Sequence, residues 1–442
     1  MVLVLLALCV LFSILTLKRQ MPEGAAAEEE LLRQIESGFQ KTDAILAVGA
    51  VNTESAKCAQ SIGQRLLDGG FSNARVVVGE PRDLRLALDD LTAKGQTLSA
   101  IATTGDVTKW RVIEQIPDRH PESAGFRLLV PQMQLRSLFL TVDNLLGVVD
   151  RIVVIAIIAI GMTMVIITAG IDLSVGSLIA LSAVVSTLVM KNLGGLDAPA
   201  WVVPVGFLCG MFACVFVGIF SGFIVARFDV PPFIATLSIM MMARGLSLQI
   251  AHSSSIYQVP NALIWLGQGR ILGIPNTVIL LVVLYAGAHV FMSRTRTGRY
   301  IYAVGGNEEA ARLSGVPVTR VIVFVYAMSA MAAGLGGCIQ ASQIKSGTPN
   351  MGKEFELYVI AAVVVGGTSL AGGTGRIMGT LVGAFVISVM MNGMNLLGMD
   401  SPTQGIVLGG VILGAVLLDK VGTSRIMAAI LKNQQAIETQ KG

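Results

Sequence analysis

Residues 293–320, SRTRTGRYIYAVGGNEEAARLSGVPVTR, lie between two long apolar runs, near 277–292 and 319–343. Runs of that kind read as membrane-crossing helices, since about 20 apolar residues cover the hydrocarbon core. The charged stretch between them is more than a turn. Asn307 suits an N-cap, Glu308 and Glu309 place negative charge in a first helical turn, and Arg312 places positive charge near the last. Gly315 supplies a C-terminal stop and Pro317 discourages continuation. The sequence therefore predicts one short capped helix on the loop between two spans. An ordinary solvated connection is one reading of such a loop. A capped helix between two membrane spans is more economically read as a surface for a partner to grip.

Composition agrees with a membrane setting. Of 442 residues, 53% are hydrophobic and 14% charged, against about 25% charged in soluble domains. The 49 glycines and 20 methionines suit closely packed membrane helices. A net charge of +4 without a basic stripe interleaved with aromatics gives no reason to expect nucleic acid as a partner. The five cysteines, Cys9, Cys58, Cys209, Cys214 and Cys338, form no CxxC pattern, and His120, His252 and His289 are scattered. Neither a metal site nor a disulfide framework is indicated. No Walker A pattern occurs, so ATP, if it drives this protein, is bound with magnesium by another chain; no cofactor is expected on this one.

The expected fold is an α-helical polytopic membrane protein of about ten spans, with a small extracytoplasmic α/β domain inserted between the first and second. Residues 1–18 form the first anchor; a cleaved signal peptide fits less well, because a basic n-region is missing. Residues 22–131 form the inserted domain. After a lead helix around 25–39, strands at 43–50, 74–80 and 98–105 each end at a glycine (Gly49, Gly79, Gly105) and precede helices near 53–68, 81–94 and 106–116. Three such units predict a small parallel sheet, with any ligand at the carboxyl ends of its strands. Residues 138–419 form the membrane core, with spans near 152–170, 173–190, 201–225, 231–251, 277–292, 319–343, 355–370, 376–398 and 403–419, and 420–442 form a cytoplasmic tail.

Charge orients these spans. With the N-terminus inside, the inner connections carry Arg227, then Arg294, Arg296, Arg299, Arg312 and Arg320, then Arg376, then Lys420, Arg425 and Lys432. The outer ones carry only scattered cations such as Lys191, Arg270, Lys345 and Lys353. Lys18 and Arg19 run against the trend, though a long translocated domain is relatively indifferent to charge. The α/β insert then faces outward and the capped helix inward.

Two Gly-rich breaks interrupt the apolar runs. In AGIDLSVGSLIALSA (169–183), Asp172 stands beside Ser174 and Gly176. An acid at membrane depth caps a helix, here one starting near Leu173, or lines a pathway, and both roles are compatible. VVVGGTSLAGGTGRIMGT (363–380) lacks the GK[ST] ending of a nucleotide loop. Arg244 is the basic residue well inside a span, and Asp172 is its obvious candidate partner. The amides Gln340 and Gln343, and Asn392 and Asn395, are spaced i, i+3 and could meet solute hydroxyls or tie helices together. Asp172, Ser174, Gln340, Asn392 and Asn395 are the candidate pathway residues.

Four stretches carry a resemblance: GMTMVIITAGIDLSVGSLIALSA (161–183), PPFIATLSIMMMARGLS (231–247), TGRYIYAVGGNEEAARLSGV (297–316) and AAVVVGGTSLAGGTGRIMGTLVGA (361–384). Together they resemble the ribose-type sugar permeases of bacterial ABC importers, over about 138–418. The resemblance implies a multi-pass protein of the bacterial inner membrane, paired with a second permease copy or homologue. It also implies a cytoplasmic ABC ATPase and a periplasmic sugar-binding protein as partners. Arg299, Gly305, Gly306, Asn307, Glu308, Glu309, Ala310, Arg312 and Gly315 would form the segment that meets the ATPase. The insert departs from that family, and its strand pattern looks like part of one lobe of a sugar-binding protein, which suits docking or regulation. Two other classes of function stay open on the residues alone. One is a membrane-anchored sensor using the α/β domain; the other is a secondary transporter, for which intramembrane ionisable groups are few.

Overall fold

In the computed structural model, which describes residues 1–22 and 24–417, the first apolar run forms helix α1 (Val2–Leu15). Its 14 residues rise about 21 Å, short of the roughly 30 Å of a hydrocarbon core. Two compact units follow from the contacts: one joins Met1–Thr16 to the chain from Phe139 onward, and the other is Leu17–Leu138.

The second unit opens and closes on an antiparallel ribbon, β1 (Leu17–Gln20) against β6 (Gln134–Ser137), with Leu17 opposite Ser137. Between them, strands β2 (Ala44–Ala50), β3 (Ala74–Gly79), β4 (Leu98–Thr103) and β5 (Arg127–Leu129) form a parallel sheet in the order β3-β2-β4-β5. Alternate residues of β2 serve opposite faces. Ile45 and Ala47 pack with α2 (Ala25–Gly38) and α3 (Glu54–Asp68), while Leu46 and Val48 pack with α4 (Pro81–Ala93) and the segment around Val112–Ile116.

The three strands expected from sequence are thus joined by a fourth, β5, and by a ribbon. Both consist of segments only three or four residues long, too short for a period to show. The helix expected near 106–116 is instead a 3-10 turn (Gly105–Lys109) and two single turns, broken around Gln115 before Pro117. On the surface, Asp90 accepts from Lys94 at 2.7 Å and from Arg75, which hold its carboxyl below the usual range. Burial pushes the Cys58 thiol up to about 11.

In the first unit the chain continues as α5 (Val142–Ile167), α6 (Val175–Asn192), α7 (Val202–Phe228), α8 (Pro232–Ile250) and α9 (Asn276–Arg294). Then come α10 (Arg296–Gly306), α11 (Glu308–Leu313), α12 (Val318–Ile344), α13 (Phe355–Val365), α14 (Ile377–Leu396) and α15 (Ser401–Leu417). Among the described residues, seven helices are long and apolar enough to cross a membrane: α5 to α9, α12 and α14. Three apolar ones, α1, α13 and α15, are shorter. The run expected to span 355–370 stops at Val365, before the pair Gly366–Gly367. The tail at 420–442, with Lys420, Arg425 and Lys432, lies outside the described residues.

Helix α12 is the hub, packing on α5, α6 and α7. Small residues permit the approach: Gly161 faces the backbone of Ser329, Gly218 meets Ala330, and Gly337 meets the carbonyl of Ile179. Buried polar groups add cross-links, among them Thr163 to Thr380 at 2.8 Å and the Tyr285 hydroxyl to the Ala156 carbonyl at 2.8 Å.

Candidate functional site

Two helices occupy 293–320, where the sequence predicted one. Thr295 starts α10, its hydroxyl accepting the Gly298 N–H at 3.0 Å. Ile301 and Val304 turn inward at helical spacing, while Arg299 stays exposed with a guanidinium N–H 3.5 Å from the Arg294 carbonyl. Three glycines in this stretch conceal that amphipathic pattern. The capped helix follows as α11. Asn307 is extended, and its side-chain oxygen accepts the Ala310 N–H at 2.8 Å, satisfying one orphan donor of the first turn. Glu308 and Glu309 lie in that turn, Arg312 pairs back to Glu308 at 2.7 Å, and Gly315 follows in a left-handed conformation, φ +80°. Ala311 is buried, whereas Glu308, Glu309, Ala310 and Arg312 are exposed and Leu313 is 90% exposed. A helix of six residues is too short to stand alone. Its fixed position comes from what flanks it.

That anchorage is a junction of three backbones at Gly305. A side-chain carbon at Gly305 would overlap the carbonyl oxygen of Ile167, at the end of α5, and sit 2.7 Å from the amide nitrogen of Gly373. The same Ile167 carbonyl accepts the Gly373 N–H at 2.8 Å. Nearby, the Tyr302 hydroxyl donates to the Gly375 carbonyl at 2.9 Å. The two Gly-rich breaks of the sequence therefore meet each other, and they meet at the root of the capped helix. Gly306, one residue on, is open: a side-chain carbon there would touch nothing.

Past Ile167 the chain passes Thr168–Gly170 into the Asp172 turn. Asp172 is 1% exposed. One carboxylate oxygen accepts the Ser174 N–H at 2.9 Å and the Ser174 hydroxyl at 2.6 Å; the other accepts the Ser329 hydroxyl of α12 at 2.8 Å. Helix α6 begins at Val175, later than the start near Leu173 expected from sequence, so Asp172 shapes the turn before the helix and also braces it against α12. Thr236 of α8 donates to the Ile171 carbonyl at 3.1 Å from the other side.

The other polar candidates are not gathered here. Gln340 has a buried side-chain oxygen without a partner, while the Gln343 amide reaches the Asp150 carbonyl at 3.5 Å. Asn392 donates to Asn144 at 2.9 Å, and the exposed Asn395 accepts from Gln404 at 2.8 Å. No hydrogen bond among the described residues links Gln340, Asn392 or Asn395 to the Asp172 cluster. Arg244 does not pair with Asp172, as the sequence suggested. It donates to the carbonyls of Pro349 (2.9 Å) and Met351 (2.8 Å), with Gly176 further off at 3.4 Å. Ser329 went unnoticed in the sequence, because a hydroxyl in an apolar run carries no spacing signal. No group of His, Cys, Asp and Glu able to hold a metal occurs among the described residues.

A bundle of long apolar helices, broken at two glycine-rich turns that converge under a capped helix, is the build of a transport permease. Residues 144–416 match the family described as branched-chain amino acid transport system / permease component, and the chain belongs to that family. It is a multi-pass membrane protein and a transport subunit rather than an enzyme. It is similar to the ribose import permease of Escherichia coli strain K12, 44% identical over 286 residues, which cover 64% of this chain and 87% of the relative. The ribose import permease of Bacillus subtilis strain 168 is 41% identical over 298 residues, 67% of this chain and 90% of the relative. The D-allose transport system permease of E. coli K12 is 35% identical over 287 residues, 64% and 85%. No solved structure matches the chain.

Proposed function

We propose that this chain is the permease subunit of an ATP-driven bacterial importer for a monosaccharide or sugar-like solute. Its cytoplasmic ATPase grips α11. The observation that carries the reading is the Gly305 junction. It ties an exposed, charged helix with a protruding Leu313 to the breaks at 167–172 and 366–375, so a push on α11 reaches the core directly. The sugar class rests on relatives named for ribose and D-allose. In this reading α1, α13 and α15 complete ten membrane segments, and the excess of cations on the α11 side sets that side inward. Two permease subunits enclose the path, a periplasmic sugar-binding protein delivers the solute, and the 17–138 unit faces outward as a docking or regulatory element. The family match lies on the membrane core, which favours transport over a sensor. Affinity capture of the chain from its native membrane, followed by ATP-dependent uptake of D-ribose and D-allose in proteoliposomes, tests the proposal. Absence of a copurifying ATPase would refute it.

A further inference from the structure

Between α12 and α13 the chain turns back into the membrane without forming a helix, residues 345–354 being loop and turn. A side-chain carbon at Gly347 would meet Ala183 and Thr187 of α6, and one at Gly352 would meet Gly176 and Ile179. The chain between them therefore descends about two turns of α6, roughly 11 Å. Gly176 itself lies about 22 Å along α6 from Lys191 at its other end. The Glu356 carboxylate, in the first turn of α13, also abuts Gly176. From there α13 runs its 11 residues, about 16 Å, to Gly366, which packs on Gly379 and Thr380. Lys353 and Glu354 are bracketed by Gly352 and Glu356. They thus sit near mid-depth in a hydrocarbon core of about 30 Å.

Irregular backbone at that depth is tolerated only where protein buries it or where it lines a water-filled cavity. On one side protein does so. Arg244 of α8 donates to the Pro349 and Met351 carbonyls at 2.9 and 2.8 Å, and Ile256 and Gly347 exchange backbone hydrogen bonds at 2.9 and 3.0 Å. The other side is bare. Lys353, Glu354 and, one turn on, Leu357 are exposed, and neither Lys353 nor Glu354 makes a side-chain hydrogen bond or ion pair with another described residue. At mid-depth an ammonium and a carboxylate are too far from either interface to snorkel, and leaving them against acyl chains is costly.

We infer that 353–357 lines the solute path at mid-membrane, with Lys353 and Glu354 as its charged waist. The inference rests on the importer reading above, in which a second permease subunit encloses the far side. An adjacent cation and anion carry no net charge, so the waist neither traps nor repels a neutral polyhydroxylated solute. Both groups can exchange hydrogen bonds with water for hydrogen bonds with its hydroxyls. None of the pathway candidates picked out in the sequence lies on this segment.

The native Cys209 supplies the control, since it is exposed on α7 beside Leu208, Phe212 and Phe216, an apolar surface suited to lipid. Lys353→Cys and Leu357→Cys importers, assembled in liposomes, are treated on both faces with a membrane-impermeant cationic methanethiosulfonate, and each site is read by mass. Leu357 rather than Glu354 carries the second probe, because Glu354 holds a left-handed φ of +67°. It also keeps the test available if Lys353→Cys fails to insert. The reaction runs through a thiolate, which water permits and lipid does not, so each new thiol should react at least about tenfold faster than Cys209. The adduct should cut D-ribose uptake severalfold while the ATPase stays captured. Thiols at 353 and 357 as inert as Cys209 would overturn the inference, whether lipid or a sealed protein contact covers them. So would full labelling with unchanged uptake. Failure of the untreated wild-type importer to take up D-ribose and D-allose would instead sink the importer reading, and the labelling rates are read independently of uptake.

Discussion

Replacing Gly305 by alanine should uncouple ATP hydrolysis from transport, whereas the same change at Gly306 should do almost nothing. The new methyl at Gly305 overlaps the Ile167 carbonyl and crowds the Gly373 nitrogen, and both atoms are backbone, which cannot rotate away. Overpacking of this kind costs about 1–3 kcal/mol. Opening the junction also breaks the Gly373 N–H to Ile167 hydrogen bond, worth about 1 kcal/mol. A total of about 2–4 kcal/mol shifts the closed junction by roughly 30- to 900-fold. The outer surface of α11 is untouched by the change, so capture of the ATPase should persist.

The assay is the ratio of sugar taken up to ATP hydrolysed by the reconstituted importer, with ATPase capture measured on each variant. Gly305→Ala should lower that ratio by at least about tenfold, the factor that some 1.4 kcal/mol supplies. Gly306→Ala, whose methyl meets open space, should match wild type. Equal ratios for the two variants would refute the transmission argument. So would a Gly305→Ala protein that fails to hold the ATPase while Gly306→Ala succeeds, since the loss would then lie in docking.

Asp172→Asn keeps an oxygen for the Ser174 N–H and should insert and transport near wild type. Asp172→Leu strands buried donors of Ser174 and Ser329 at about 1–3 kcal/mol each, and should lose thermal stability in a melt of the purified protein; a transport-dead but stable Asn variant would point to a charge-dependent role. Glu308→Lys with Glu309→Lys reverses the charge at the start of α11 and breaks its pair to Arg312; ATPase stimulation should fall several-fold with unchanged membrane insertion, and unaltered stimulation would count against α11 as the docking helix. Because its partners depress the Asp90 carboxyl in the folded state, its contribution is present above the ordinary carboxylate range and lost as pH falls through the folded value. Asp90→Asn should accordingly lower the melting temperature of the 17–138 unit at neutral pH, and the difference from wild type should close only at pH below the ordinary carboxylate range. Excision of 22–131 leaves β1 and β6 able to pair and should weaken capture of the sugar-loaded receptor while basal coupling survives, as read by receptor titration of the ATPase rate.

What was legible in the sequence follows the range of the forces involved. Apolar runs and caps are local, so the membrane helices, the Asn307-capped turn and strands β2, β3 and β4 could be read from neighbouring residues. The α10 helix hid because its inward residues, Ile301 and Val304, are diluted by glycine, and β5 because three residues hold no period. The Gly305 junction lay beyond reach for a different reason. Its partners are a carbonyl and an amide, groups that every residue carries, brought from segments far apart in the chain. The glycines could be counted, but only the fold shows which one has no room for a methyl. Arg244 teaches the converse. The sequence pairs this half-buried cation with the most conspicuous acid, yet backbone carbonyls at 349–351 accept from it, leaving Asp172 free to brace the turn through Ser174 and Ser329. The break at 168–172 is thus held by hydrogen bonds on one side and by a backbone junction on the other. A shift of α11 can act on the second without first breaking the first.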